Sequence, residues 1–436
     1  MFLLYSSLLA VAFLLTSPWW LVQMLRRGKY RAGLFERLGR IPARLAPNRA
    51  PRTDARPLIW VHAVSVGEVL AVSGLVSRLQ ENARVVLSTT TQTGHNLACE
   101  RLGEANIFYF PLDFTFAIRR WLDALRPDMV VLAETEFWPN FIRLVHARGV
   151  PIVVGNARIS DRSYPRYRRF RGLLAKALAP IDRFVTQSDE DARRLIDIGA
   201  PAGRVIAGGN LKFDVTPPVE HVAFVDALRE RLKQAGAGPI IVAGSTVRDE
   251  EGPVLLAFYK VLGKMNNALL VLAPRHKERF EEVARVVAES GLTQWRRSQL
   301  GENEKLNGGV LLLDSIGELA AIYALGDLAF VGGSLVPRGG HNILEPAHFG
   351  IPTIVGPYTE NFRDIVTLFK REGGVATAGE RELGDVMLRL LRNSSERRAL
   401  GARGQKVLQS QRGATERLAQ TIEGLLARAD ASEVRR

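Results

Sequence analysis

"PLIWVHAVSVGEVLAVSGLVSRLQENARVVLSTT", residues 57–90, decides how the rest of the chain is read. Two apolar runs, "PLIWVHAV" (57–64) and "RVVLSTT" (84–90), flank a stretch of helical periodicity, "VLAVSGLVSRLQ" (69–80). Unbroken Val/Ile/Leu runs suit strands covered on both faces, and a helix between two of them is the repeating unit of a parallel sheet. The pattern continues outward with "MVVLAE" (129–134), "VPIVVGN" (150–156) and "RFVTQS" (183–188). Two prolines in "DVTPPVEH" (214–221) interrupt it. It restarts with "PIIVAGST" (239–246), "ALLVLAP" (268–274), "GVLLLD" (309–314), "DLAFVGGS" (327–334) and "IPTIVGP" (351–357). The expectation is an α/β protein with two Rossmann-like domains, at 26–213 and 239–436, joined by a linker at 214–238. Open parallel sheets bind ligands outside the carboxyl ends of their strands, so the chemistry is expected in a cleft between the two domains.

Composition sets the outer limits. The chain has 436 residues, of which 47% are hydrophobic and 24% charged, enough apolar material for two or three cores. A formal net charge of +14 points to an anionic partner: nucleic acid, a phosphorylated ligand or a lipid surface. The lone cysteine, Cys99, excludes an internal disulfide, and no Cys/His pair has zinc spacing. Residues 1–25 carry no charged side chain, and "RRGKYRAGLFERLGR" follows directly. An apolar stretch of that length with positive charge after it reads as a retained membrane anchor with the body of the protein in the cytoplasm; Pro18 leaves room for a helix lying in the interface instead.

Candidate chemistry starts at the turn after the first strand. Ser65-Val66-Gly67-Glu68 fits a capping box, in which Ser65 accepts from the Glu68 N–H and Glu68 reaches back to the Ser65 N–H. The same glutamate stands at a strand end, where a carboxylate can deprotonate a hydroxyl and Gly67 permits close approach. Glu134 and Glu136, in "AETEFWPN" (133–140), follow another strand beside Phe137 and Trp138 and form a second acidic candidate. "SDEDARR" (188–194) has the Asp-x-Asp spacing of a nucleotide-sugar metal site, but Ser188 with three acids after it reads as a capped helix, and no metal is expected.

In the second half, Arg275 and His276 of "LVLAPRHKERF" (270–280) follow a strand and can donate to phosphate. "AFVGGSLVPRGGHNILEPAHFGIPTIVGP" (329–357) runs from a strand through paired glycines into a helix expected to start at Asn342. Such loops expose backbone N–H groups to phosphates, and Glu345 can accept from ribose hydroxyls. The Arg-rich "RISDRSYPRYRRFRG" (158–172) suits nucleic acid or an anionic lipid surface, and the apolar N-terminus favours the lipid and excludes nucleic acid as the partner.

"HAVSVGE", "AETEFWPN", "GNLKFD" (209–214), "APRHKERF" and "FVGGSLVPRGGHNILEPA", in that order and over nearly the whole chain, resemble the Kdo (3-deoxy-D-manno-octulosonic acid) transferases of Gram-negative bacteria. The resemblance implies a GT-B glycosyltransferase fold at the inner membrane, CMP-Kdo as donor and the lipid A precursor (lipid IVA) as acceptor in lipopolysaccharide core biosynthesis. It also implies inversion at the anomeric carbon, with no cofactor and no metal. It assigns the catalytic base to Glu68 and donor contacts to Pro274, Arg275, Ile316, Gly317, Glu318, Asn342, Ile343, Leu344 and Glu345. Val247 stands where relatives have histidine, which removes that donor contact, and "NILE" replaces "NPLE". Two readings of other classes stay open: a nucleotide-sugar epimerase of the same fold, which needs no anchor, and a non-catalytic adaptor on anionic lipid, which needs neither Glu68 nor the 329–357 loop.

Overall fold

The computed structural model describes residues 2–27, 31–45, 56–216, 222–301 and 304–433. Residues 217–221 of the expected linker, 28–30 of the basic flank and the terminal 434–436 lie outside the described residues. The chain divides into two compact units, Met1–Val215 with Gln411–Arg436, and Thr216–Ser410.

The first unit holds a seven-stranded parallel sheet: β1 (Leu58–His62), β2 (Arg84–Thr89), β3 (Ile107–Tyr109), β4 (Met129–Ala133), β5 (Ile152–Ala157), β6 (Arg183–Thr186) and β7 (Val205–Ala207). Their order is β3-β2-β1-β4-β5-β6-β7. All five residues of β1 are buried, because alternate side chains enter cores on opposite faces of the sheet. Trp60 packs on one face with Phe108, Trp121 and Phe141; Ile59 and Val61 pack on the other under the helix Val66–Gln80. The sequence order reverses between β1 and β4, so the crevice of the doubly wound sheet opens at their carboxyl ends.

The second unit repeats the plan with β8 (Ile240–Thr246), β9 (Leu269–Pro274), β10 (Gln294–Arg296), β11 (Gly309–Leu312), β12 (Leu328–Val331), β13 (Thr353–Val355) and β14 (Ala376–Thr377). Their order, β10-β11-β9-β8-β12-β13-β14, reverses between β8 and β12, with β10 added at one edge.

The expected domain limits need two corrections. The C-terminal segment does not stay with the second domain: the helix Ala414–Glu433 packs on the first sheet through Leu418, Ala419 and Ile422. Asp214 fixes its start, accepting from the N–H of Gly413 at 2.7 Å and of Thr415 at 2.6 Å. This puts the aspartate of "GNLKFD" at a helix N-terminus, where its charge is favourable. Within the span 214–238 the structure holds a helix, Val222–Gln234, that belongs to the second unit.

The N-terminal stretch is a helix, Phe2–Arg27, with Pro18 inside. The Asn140 side-chain amide donates to Ser6 Oγ at 3.0 Å, and Phe13 meets Phe114 edge-on at 5.5 Å, so the helix docks on the first unit. Among the described residues no helix is long and apolar enough to cross a membrane.

Candidate active site

Glu68 lies in the first turn of the helix that follows β1 and is only 9% exposed. The expected capping box is not what forms. Ser65 Oγ makes no bond to the helix N–H groups; it donates to Glu68 Oε1 at 3.0 Å. Glu68 does reach back, but to the N–H of Val64, at 2.8 Å from Oε2. The carboxylate is thereby aimed across the end of β1. Gly67 is exposed, and a Cβ there would meet only Ser65 Oγ, 4.0 Å away. The approach to the turn is open.

The acids after β4 share this crevice. Glu134 sits at φ 56, a left-handed conformation that costs a non-glycine residue and clusters at functional sites. Lys212 Nζ, from "GNLKFD", lies 3.7 Å from Glu134 Oε1. Burial first, then the negative charge of Glu134, push the Glu68 carboxyl up to about 7; Glu136 adds to the rise, and the Val64 N–H and Ser65 hydroxyl oppose it. Burial likewise raises Glu136. Phe137 and Trp138 are half-buried against the core. After β6, Ser188 Oγ accepts from the Asp191 N–H, so the Asp-x-Asp pair is a capped helix start.

In the second unit the strand ends gather Arg275, His276, His341, Asn342 and Glu345. Arg275 and His276 are exposed just past β9, whose last residue, Pro274, is buried. Burial, Arg275 and His276 lower His341 to about 4, and its Nε2 is buried without a partner. Glu345 is raised by burial, while the Asn342 amide, 3.2 Å from its Oε1, and Arg275 oppose the shift. His341 was not singled out from sequence; its signal is its place between a glycine pair and Asn342.

Three expectations change here. The helix starts at Leu344, not Asn342, and runs only to His348; Asn342 accepts from the Leu344 N–H at 3.2 Å. Ile343 and Leu344 are each 1% exposed, so their side chains are core and only their backbone can face a ligand. The first glycine pair does not offer its amides to phosphate. The N–H groups of Gly333, Ser334 and Leu335 all donate to the carboxylate of Glu250, at 2.7, 2.8 and 2.8 Å. Val247, across from them, gives Glu250 its backbone N–H at 3.0 Å, and its side chain is buried.

Ile316 and Gly317 are exposed, Gly317 at φ 93, where a side chain would be strained. The Glu318 carboxylate is already paired, accepting from Arg297 at 2.8 Å and from the Ser315 hydroxyl. Among the described residues no group of three or more His, Cys, Asp or Glu could hold a metal ion.

Comparison with known proteins bears on both units. Residues 32–215 match the family model described as 3-deoxy-D-manno-octulosonic-acid transferase (kdotransferase). The chain is 36% identical over 378 residues to the 3-deoxy-D-manno-octulosonic acid transferase of Haemophilus influenzae, covering 85% of this chain and 87% of that one. It is 35% identical to the enzyme of the same name from Bordetella pertussis, over 92% and 95% of the two chains. Among solved structures, a UDP-GlcNAc 2-epimerase from Neisseria meningitidis superposes with a TM-score of 0.58 at 13% identity, over 84% of this chain and all of that one. That likeness is one of fold, consistent with a GT-B-like α/β protein with two parallel sheets.

Proposed function

The chain belongs to the 3-deoxy-D-manno-octulosonic acid (Kdo) transferases, and from that premise we propose how it works. It is a glycosyltransferase that transfers Kdo in lipopolysaccharide core biosynthesis. The donor is CMP-Kdo and the acceptor a sugar hydroxyl of the lipid A precursor. Glu68 takes the proton from that hydroxyl, the oxygen attacks the anomeric carbon, and CMP leaves with inversion.

One observation carries the assignment of Glu68. It is a buried carboxyl poised near pH 7, at the point where the strand order of its sheet reverses, beside two further acids. A general base works best with a pKa near the operating pH, where enough of it is ionised and it still binds a proton well. Glu134 and Glu136 raise its basicity and line the acceptor side. Arg275, His276 and the backbone from Asn342 to Leu344 receive the leaving phosphate, Glu345 the ribose, and Ile316–Glu318 the base.

The site works at the cytoplasmic face of the bacterial inner membrane. What supports this is the N-terminal helix, which exposes Leu8, Val11, Leu14, Leu15 and Trp19 while docked on the first unit. The basic residues after it favour an anionic leaflet.

The test is transfer by the full-length protein from CMP-Kdo to lipid A precursor in mixed micelles. Transfer of Kdo with release of CMP is expected. No product, or product only from a uridine donor, overturns the reading.

A further inference from the structure

Arg37 is a half-buried guanidinium beside the Glu68 turn, with no carboxylate paired to it among the described residues. Its Nη2 donates to the carbonyl of Thr90. The N–H groups of Thr90 and Thr91 in turn donate to the carbonyl of Val64, at 3.2 and 3.0 Å, and the N–H of Val64 donates to Glu68. One backbone turn therefore fixes both the guanidinium and the base. The adjacent acid, Glu36, acts on Arg37 through its charge but makes no ion pair with it among the described residues. Glu36 is engaged by the N–H of Tyr109 at 2.8 Å and by Arg44 at 3.5 Å.

Arg37 lies over the Tyr109 ring, 4.6 Å from its centroid, and His95 stacks on the same ring at 4.0 Å and 9°. His95 Nδ1 is 3.3 Å from Thr89 Oγ1. A guanidinium has five N–H donors in a planar fork suited to carboxylate or phosphate, and Thr90 takes one of them. Burial, then the charges of Arg44 and Arg37, lower the pKa of His95; burial and, less, the charge of Arg37 lower that of His62 against the bond to the Ser88 backbone, so the positive field of Arg37 reaches both rings.

We propose that Arg37, backed by Tyr109 and flanked by His95, is a subsite for an oxyanion carried by one of the two sugar substrates. This rests on the reading that the reaction joins an acidic sugar to a phosphorylated acceptor. The group is a phosphate of the acceptor or the carboxylate of the transferred sugar, and it is held next to the base that activates the hydroxyl.

Kinetics and a binding titration test it together. Arg37→Gln is expected to raise KM for one substrate roughly 10- to 100-fold, with kcat changed less than about threefold, as befits loss of a charged hydrogen-bond pair. A rise for the acceptor identifies phosphate; a rise for CMP-Kdo identifies carboxylate. Arg37→Lys keeps the charge but loses the fork, and a smaller rise in the same KM is expected. It also serves if the glutamine variant fails to fold. Independently of transfer, inorganic phosphate added to histidine-labelled protein should shift the His95 ring signals saturably in the wild type and not in Arg37→Gln. Unchanged KM values for both substrates in both variants, or no phosphate-dependent shift in the wild type, overturn the subsite. Failure of the wild type to transfer Kdo defeats the functional reading, while the titration still decides Arg37.

Discussion

Glu68 and Glu250 hold matching places in the two units, each following the first strand of its sheet at the point where strand order reverses, yet their surroundings are opposite. Glu250 is fully buried and accepts four backbone N–H groups, from Val247, Gly333, Ser334 and Leu335. Glu68 has one backbone N–H and one hydroxyl, with two other carboxyl groups nearby. A carboxylate whose oxygens are all taken up by backbone donors ties loops together and becomes structure; one buried with few donors and like-charged neighbours holds a proton it can exchange. The same residue type at the same place in the fold thus ties two loops together in one unit and is available as a base in the other.

The largest effect tests the Glu68 side of this contrast. Glu68→Gln should lower kcat by roughly 10²- to 10⁴-fold, the usual contribution of a positioned base. Its stability should behave in the opposite way. With the carboxyl near 7 in the folded protein and 4.5 as the ordinary value, the native state binds the extra proton between those limits. Wild-type stability therefore falls as pH rises from about 4.5 to 7, by up to roughly 3 kcal/mol. The glutamine cannot ionise, so Glu68→Gln should gain on the wild type across that window in urea titrations. A variant that loses stability equally at pH 5 and pH 8 would show Glu68 to be a structural cap like Glu250.

Next in size is Glu250→Gln. Its amide presents N–H groups toward donors that need an acceptor, leaving about two buried N–H groups unsatisfied. That should cost roughly 2–5 kcal/mol of stability, read as a lower urea midpoint for the second unit. The space cannot simply close. A Cβ on Gly332 would already lie 2.7 Å from the Ser245 carbonyl oxygen and 2.8 Å from Glu250 Oε2. If Glu250→Gln kept its midpoint but lost donor affinity, the carboxylate would be facing ligand and the contrast would collapse.

How much of this can be read in the sequence follows the same division between local and distant interactions. The long buried strands, such as "LIWVH" and "LLVLAP", announce themselves as apolar runs. The added strands β3, β7, β10 and β14 have two or three residues each, too few to form a pattern, and extend the sheets at or near their edges. The amphipathic tail is legible as helix, but its partner is not: the Asp214 contact with Gly413 spans 199 residues. At the site, S-V-G-E marks the place of Glu68 while misreporting its bonds, since an acid four residues from Val64 can reach past the expected partner. Glu250 looks like any surface acid in "RDEE"; only the fold brings the glycine loop onto it. Family resemblance supplied what spacing could not, the choice of base over cap at Glu68.

The finest test moves the proton rather than removing it. If Glu68 must be ionised, kcat/KM rises with pH through an apparent pKa near 7. Glu134→Gln removes the neighbouring negative charge, so Glu68 should titrate lower and the limb shift down by on the order of one unit. Ser65→Ala removes a hydrogen bond donated to the carboxylate, so the limb should shift up, by a few tenths of a unit at most. Loss of a functioning N-cap costs about 1 kcal/mol. Because Ser65 makes no such bond, Ser65→Ala should cost less than half of that. The two substitutions act on one carboxyl from opposite sides. Opposite displacements of a single limb, with little loss of stability in the serine variant, require a carboxyl whose ionisation is set by its few donors and its two neighbouring acids. A limb indifferent to both would place the titrating group elsewhere and return Glu68 to the structural role that Glu250 fills.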